Sequence, residues 1–302
     1  MREKLILIWR KITQIKILTP FIIFIRYFAG TNFFNSILDF AEVNLFHTSY
    51  QTTQQFIKCN KQRIKQILQI LEDEKSKKVY QCIWKYRATH NRKYLKGIVD
   101  KQQYFDSELI QLGEQEGFVD CGAYKGDTIK QFLKRLPHKK YQFIVAFEPD
   151  EYNFKKLSKY LQKNKHTRTC TPGGGLLYYK LGTWHEKTCL RFKGNTEEGC
   201  KIADDGDTVI YTDTIDAVVG NQKVTYIKMD VEGAELNSLI GAKEIIKREH
   251  PKLAISIYHS DDDMINVIEY IRQNYPFYKL YVRHYTYFYA DTVLYAIEDK
   301  NE

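Results

Sequence analysis

No two cysteines in this 302-residue chain are spaced as C-x-x-C, and no cysteine–histidine spacing suits zinc. The six cysteines, at 59, 82, 121, 170, 189 and 200, therefore read as reduced thiols of a cytoplasmic protein, not as a disulfide or metal framework. There is no low-complexity tract and no internal repeat, which excludes a solenoid or a disordered scaffold. Long apolar runs are missing too. In the apolar N-terminus the longest stretch between basic residues is nine residues, 17–25, and it contains Pro20. A spanning helix needs about 20 apolar residues, so none is expected here. A secretory signal would need a small-residue cleavage site; Ala29-Gly30 is a weak one, and the cysteine usage argues against export.

What is present is an ordered composition, 43% hydrophobic and 14% aromatic, with a net charge of +9 that is unevenly placed. Residues 1–105 carry 19 Lys and Arg against 7 Asp and Glu, and the remainder carries 27 against 30. The positive field thus belongs to the N-terminal third, where it favours acidic lipid headgroups, anionic glycans or nucleic acid, unless it only solvates helix faces. Leu5–Trp9 and Ile17–Ile25, broken by Arg10, Lys11, Lys16 and Arg26, predict a segment over 1–30 lying on an anionic inner membrane face. The alternative is a helix docked on the rest of the protein.

Residues 31–105 read as helical, with Ile64, Ile67, Leu68 and Leu71 on one face. Ser76 is expected to cap a second helix that turns Val79, Ile83 and Tyr86 inward and Lys77, Lys78, Lys85 and Arg87 outward. This basic helical region, 1–105, is expected to cover one edge of a catalytic domain, 106–302, and to help wall its acceptor cleft. Gln103–Asp106 would connect the two.

The rest of the chain is organised around Phe118-Val119-Asp120-Cys121-Gly122-Ala123-Tyr124-Lys125-Gly126-Asp127-Thr128, a short buried strand, a glycine-bracketed turn and a helix start. Gly122 and Gly126 permit a sharp turn and a close approach, and the turn delivers a ligand to a helix N-terminus. Phe143–Phe147 is a second strand, ending in Glu148, 22 residues beyond Gly126. An acid there can accept both hydroxyls of a ribose at the switch point of a doubly wound α/β sheet. The dinucleotide pattern G-x-G-x-x-G is absent. The spacing is Asp120-x-Gly122-x-x-x-Gly126, and an acid ahead of the first glycine suits the cationic tail of S-adenosylmethionine better than a diphosphate.

Further on, Val224–Met229 forms a strand that runs into Asp230-Val231-Glu232-Gly233-Ala234-Glu235. Taken in order, the stretches at 118–128, 146–150, 227–236 and 255–260 closely resemble the FkbM-type methyltransferases, over about residues 105–297. The resemblance implies a class I, Rossmann-like enzyme with a seven-stranded, mostly parallel sheet, using S-adenosylmethionine. Many such enzymes O-methylate sugars and other natural-product hydroxyls, so a sugar or glycan acceptor in polysaccharide biosynthesis is expected. The last two strands, Phe277–His284 and Thr292–Ile297, should form an antiparallel pair.

Asp120, Gly122, Ala123, Tyr124 and Gly126 are expected around the methionine portion, Asp127 and Thr128 at the helix cap, and Glu148 on the ribose. Methyl transfer is an in-line displacement that needs positioning and removal of a proton. His259, after the strand at 252–258, is expected to be the base, because an ordinary imidazole titrates near neutral pH. Asp230 is expected to orient acceptor or cofactor. Asp230, Glu232 and Glu235 carry hard oxygens that suit Mg²⁺, but acids at a helix start are explained by the dipole alone, so no metal is assigned. Capping is expected of Asp261, Asp262 and Asp263. The tyrosines at 275, 278, 281, 285, 287 and 289 suit sugar stacking or simply strands. Pro172–Gly175 reads as an ordinary loop, as does the stretch holding Asp204, Asp205 and Asp207. A nucleic-acid methyltransferase ranks second, since the D/N-P-P-Y/F pattern is missing and carboxylates at 230 and 232 repel a polyanion. A cofactor-binding scaffold without catalysis ranks third.

Overall fold

The computed structural model describes residues 47–163, 175–193, 201–202, 206 and 208–298. The expected membrane-surface segment at 1–30, the turn at 172–174 and Asp204, Asp205 and Asp207 lie outside them. No helix among the described residues is long and apolar enough to cross a membrane.

Among the described residues three helices come first: α1 (His47–Cys59), α2 (Lys61–Ile70) and α3 (Glu74–Thr89). The rest of the chain then alternates as β1 (Gly117–Cys121), α4 (Asp127–Arg135), β2 (Phe143–Phe147), α5 (Glu151–Lys163) and β3 (Leu176–Tyr179). After an inserted unit, α6 (Ile215–Val219), β8 (Tyr226–Met229), α7 (Glu235–Ile240), α8 (Lys243–Glu249), β9 (Lys252–Ser256), α9 (Asp263–Asn274), β10 (Tyr278–His284) and β11 (Thr292–Glu298) complete the chain. The main sheet has seven strands in the order β10-β11-β9-β8-β1-β2-β3. The neighbours from β9 to β3 pair in parallel, and β11 runs antiparallel to both β9 and β10. Every residue of β1, β2 and β8 is buried, as expected of central strands covered on both faces. The order reverses between β1 and β8, so the carboxyl ends of β1, β2, β8 and β9 surround one crevice.

The inserted unit, β4 (Gly182–Thr183), β5 (Thr188–Lys193), β6 (Lys201–Ile202) and β7 (Thr208–Asp213), makes a separate sheet in the order β4-β7-β5-β6. Its alternation is visible in β7, where Ile210 is buried between exposed Val209 and Tyr211. Such alternation marks one covered face and does not name the pairing partner.

β10 lies at the sheet edge, where unpaired backbone groups need covering. The N-terminal region satisfies them. Glu72 N–H donates to Leu280 C=O at 3.0 Å, and Asp100 N–H to His284 C=O at 2.8 Å. Val282 N–H donates to Ser76 Oγ at 2.9 Å. Ser76 therefore does not cap α3; Asp73 does, accepting from Ser76 N–H at 2.6 Å. Ser76 sits inside the first turn with its hydroxyl spent on the sheet. Arg87 is not on the outer face either. Its guanidinium reaches Tyr258 C=O at 2.8 Å and Asp261 at 3.0 Å. Val79, Ile83 and Tyr86 are buried in the cluster that also holds Leu253, Leu280 and Leu294 of the sheet.

Arg283, 1% exposed, donates to Asp73 Oδ2 at 2.7 Å and to Ser76 Oγ at 2.8 Å. Asp73→Ala is expected to cost about 2–3 kcal/mol in urea unfolding. It removes a cap worth about 1 kcal/mol and strands part of a buried guanidinium's charge.

Candidate active site

The crevice is built from four strand ends. At the end of β1 the chain turns at Gly122 (φ +77°) and Gly126 (φ +88°). A Cβ on Gly122 would lie 1.8 Å from the backbone oxygen of Asp230, so the glycine is required by the close approach of β8. At Gly126 the nearest obstacle is the Tyr160 ring, 2.8 Å away. Gly122 and Ala123 N–H both donate to Phe147 C=O, at 3.0 and 2.9 Å. The loop is thus fastened to β2 by its own donors. Tyr124 is 45% exposed at φ +50°, with the Lys125 ammonium 4.2 Å from its ring centre. Gly126 is the N-cap of α4 and no side chain caps it. Asp127 and Thr128 open the first turn instead of capping it, Asp127 exposed and Thr128 buried.

Asp120 is fully buried under this loop. It faces Lys228, whose Nζ is 3.3 Å from Oδ1 and donates to Gly122 C=O at 2.7 Å and Cys121 C=O at 3.2 Å. Burial pushes the Asp120 carboxyl up to about 6, against the pull of Lys228. The sequence reading aimed this acid at a cationic ligand. In the structure its charge is answered from inside, and the buried ammonium also clamps two carbonyls of the glycine turn.

Glu148 closes the loop from β2. Its Oε2 accepts from Tyr124 N–H at 2.7 Å and its Oε1 from Asp150 N–H at 2.9 Å. Burial lifts its carboxyl to about 7, with these two N–H groups working the other way. Each oxygen keeps a further lone pair for a ligand hydroxyl.

Across the crevice, Asp230 at the end of β8 gathers a polar cluster. Tyr104 donates to its Oδ2 at 2.9 Å and Tyr258 to its Oδ1 at 3.1 Å. Burial opposes its charge, but Lys228 and His259 hold the carboxyl below the usual range. His259 sits among three carboxylates: Nε2 is 3.5 Å from both Asp230 and Glu232, and Nδ1 is 3.2 Å from Glu235. Burial works to lower its pKa, and the three acids outweigh it, Glu235 foremost, raising it to about 9. The three acids therefore favour a positive charge at this position. Glu235 is fully buried, and its Oε1 accepts from Val231 N–H at 2.8 Å. Of the acids after β9, Asp262 holds the N-cap position of α9 but makes no side-chain cap bond. Asp261 takes Arg87 and the Thr53 hydroxyl, and Ser260 Oγ accepts from Asp263 N–H at 3.0 Å. Of the tyrosines, Tyr275 and Tyr278 are core residues, while Tyr287 and Tyr289 are exposed on the β10–β11 connection. The same connection carries Asp291, held by Gln103 at 3.0 Å.

A sequence model of the methyltransferase FkbM domain matches residues 120–289, from Asp120 through Tyr289. The chain belongs to that family. The crystal structure of the methyltransferase FkbM from Methylobacillus flagellatus KT is similar, with a TM-score of 0.69 and 26% identity over 80% of this chain. The match spans 60% of that protein's length. An rRNA methylase from Streptococcus thermophilus aligns at 15% identity and TM-score 0.40, over 62% of this chain and 89% of that one. Aeropyrum pernix fibrillarin with bound S-adenosyl-L-methionine aligns at 11% identity and TM-score 0.39, over 63% and 70%. No protein of curated function matches the chain. The sheet order and the reversed last strand pair are those of the class I S-adenosylmethionine-dependent methyltransferase fold.

Within the FkbM domain the sequence motifs marked Asp120, Glu148, Asp230 and His259, and the structure brings all four to the same crevice. Lys228, Tyr104 and Tyr258 escaped notice. Lys228 had a visible signal, a lysine in the middle of the apolar strand Tyr226–Met229. Tyr104 had none, because it lies 126 residues from the Asp230 it contacts, in a stretch that reads as a connector.

Proposed function

We propose that this FkbM-family chain transfers the methyl group of S-adenosylmethionine to a hydroxyl of a sugar, glycan or related acceptor. The observation that carries this reading is the abutment at Gly122: the turn assigned to the methyl donor and the polar cluster at Asp230 touch through backbone. The donor lies along the loop from Gly122 to Thr128, with its ribose on Glu148. The acceptor comes from the side of Tyr104, Tyr258 and His259. Attack of a hydroxyl on the sulfonium methyl moves positive charge from sulfur to the acceptor oxygen. Ionised carboxylates beside that oxygen stabilise the transition state and take up the proton that the oxygen sheds as the bond forms. His259, in reach of all three acids, holds the group in place. A polyanion is disfavoured on the same rim, so RNA ranks below a polyol. Residues 1–30, apolar and basic, are proposed to hold the enzyme at an anionic inner membrane face.

The test is incorporation of labelled methyl from S-adenosylmethionine into polysaccharide, glycolipid, protein and RNA fractions. Label in RNA would overturn the acceptor class. His259→Ala is expected to lower turnover about 10²-fold or more with S-adenosylhomocysteine affinity within twofold. Unchanged turnover removes it from the reaction.

Glu148 gives a pH signature. Its ionised form is the better acceptor of ribose hydroxyls. S-adenosylhomocysteine affinity should therefore be flat above about pH 8 and fall up to about tenfold per unit below 7. Glu148→Gln should flatten that profile, as read by calorimetry. For stability the sign is opposite. The folded carboxyl, at about 7, lies above its ordinary value, so its contribution is present at low pH and is lost as pH rises through 7.

A further inference from the structure

We propose that Asp230, Glu235 and His259 form a site for a divalent cation that grips the acceptor hydroxyl beside the methyl donor. Its catalytic role rests on the methyl-transfer reading above; its existence does not. One ligand atom from each of the three residues lies within 4.8 Å of the other two. Two further observations point to an occupant. Glu235 is fully buried, yet its Oε2 has no hydrogen-bond partner, and the imidazole of His259 holds the other carboxylates around the same point. Buried polar atoms left in this way ask for a water or an ion.

The sequence suggested Asp230, Glu232 and Glu235 as the hard-oxygen set. The fold instead puts His259 in the trio and leaves Glu232 outside with its side chain 55% exposed. Two carboxylates and one imidazole make a set suited to Mn²⁺, Fe²⁺ or Zn²⁺ more than to an all-oxygen Mg²⁺ cage. Three protein ligands leave open positions for the acceptor. Outer contacts fix each carboxylate: Tyr104 and Tyr258 hold Asp230, and Val231 N–H holds Glu235. Metal ligands are usually held in this way.

The step balances as follows. The cation binds the acceptor oxygen, and its proton passes to the Glu232 carboxylate. The alkoxide then forms the new O–CH₃ bond as the S–CH₃ bond breaks. The bonding pair stays on sulfur, leaving neutral S-adenosylhomocysteine.

The experiment titrates MnCl₂ into the full, metal-free chain, followed by calorimetry and electron paramagnetic resonance. S-adenosylhomocysteine is titrated separately. One Mn²⁺ per chain is expected, with affinity at least tenfold weaker in Glu235→Gln and in His259→Ala. In the unaltered protein, Mn²⁺ should broaden the His259 ring resonances at substoichiometric levels, a readout that does not depend on the variants folding. No Mn²⁺ binding, or binding that leaves the His259 signals sharp, overturns the site. Methyl transfer that survives chelation undiminished overturns the role. S-adenosylhomocysteine binding without Mn²⁺ binding would sink the cation alone, and the reverse would sink the methyl-donor reading alone.

Discussion

Replacing Lys228 by methionine is expected to destabilise the protein by about 3–5 kcal/mol and to abolish S-adenosylhomocysteine binding. The change strands the fully buried Asp120 without its counter-charge, and removing one member of a buried pair costs that much. It also withdraws the donor from the carbonyls of Cys121 and Gly122, so the turn loses the group that fixes its floor. The double variant Asp120→Asn with Lys228→Met should recover part of the stability, since replacing both partners is far milder than removing one. Urea unfolding measures the first effect and calorimetry the second. An unshifted midpoint in the single variant would mean that the pair contributes nothing net.

Gly122→Ala is the second large effect. The added methyl would sit 1.8 Å from the backbone oxygen of Asp230, at a φ of +77°. Neither backbone can swing away freely, because each residue directly follows a paired central strand, Gly122 after Cys121 and Asp230 after Met229. The ends of β1 and β8 must part, and methyl transfer should fall by more than about 10²-fold, since a displacement near 1 Å at the reacting groups has that cost. Gly126→Ala is the control. It meets the side chain of Tyr160 at 2.8 Å, and a ring can shift where a peptide cannot. Equal losses in the two variants would refute the distinction drawn between them.

Most of the architecture was legible. Strands such as Phe143–Phe147 and Tyr226–Met229 are continuous apolar runs ended by Glu148 and Asp230, and buried parallel strands leave that trace. The carboxylates at strand ends could be read as site residues for the same reason. Their partners could not. Asp120 faces a lysine 108 positions later, and the charge state of His259 is set by Glu235, a neighbour only in space. The raised pKa of that imidazole was not legible, because periodicity predicts burial and not the sign of a local field. The separate four-stranded sheet was missed likewise: the alternation around Ile210 shows that one face is covered, not what strand lies alongside. Helix signals misled at Ser76 and Arg87, whose side chains serve the sheet and the rim.

The exposed flank of β10 is completed by residues 72–100, and the Asp230 cluster draws one of its hydroxyls from Tyr104. The sequence boundary at 105 therefore falls inside a shared structure. A fragment cut there would carry a sticky strand edge with nothing laid along it and an Asp230 cluster short of one hydroxyl. The helices of residues 47–89 and the chain leading on to Tyr104 are thus part of the same folded body as the sheet, and truncating them unsettles the Asp230 cluster as well.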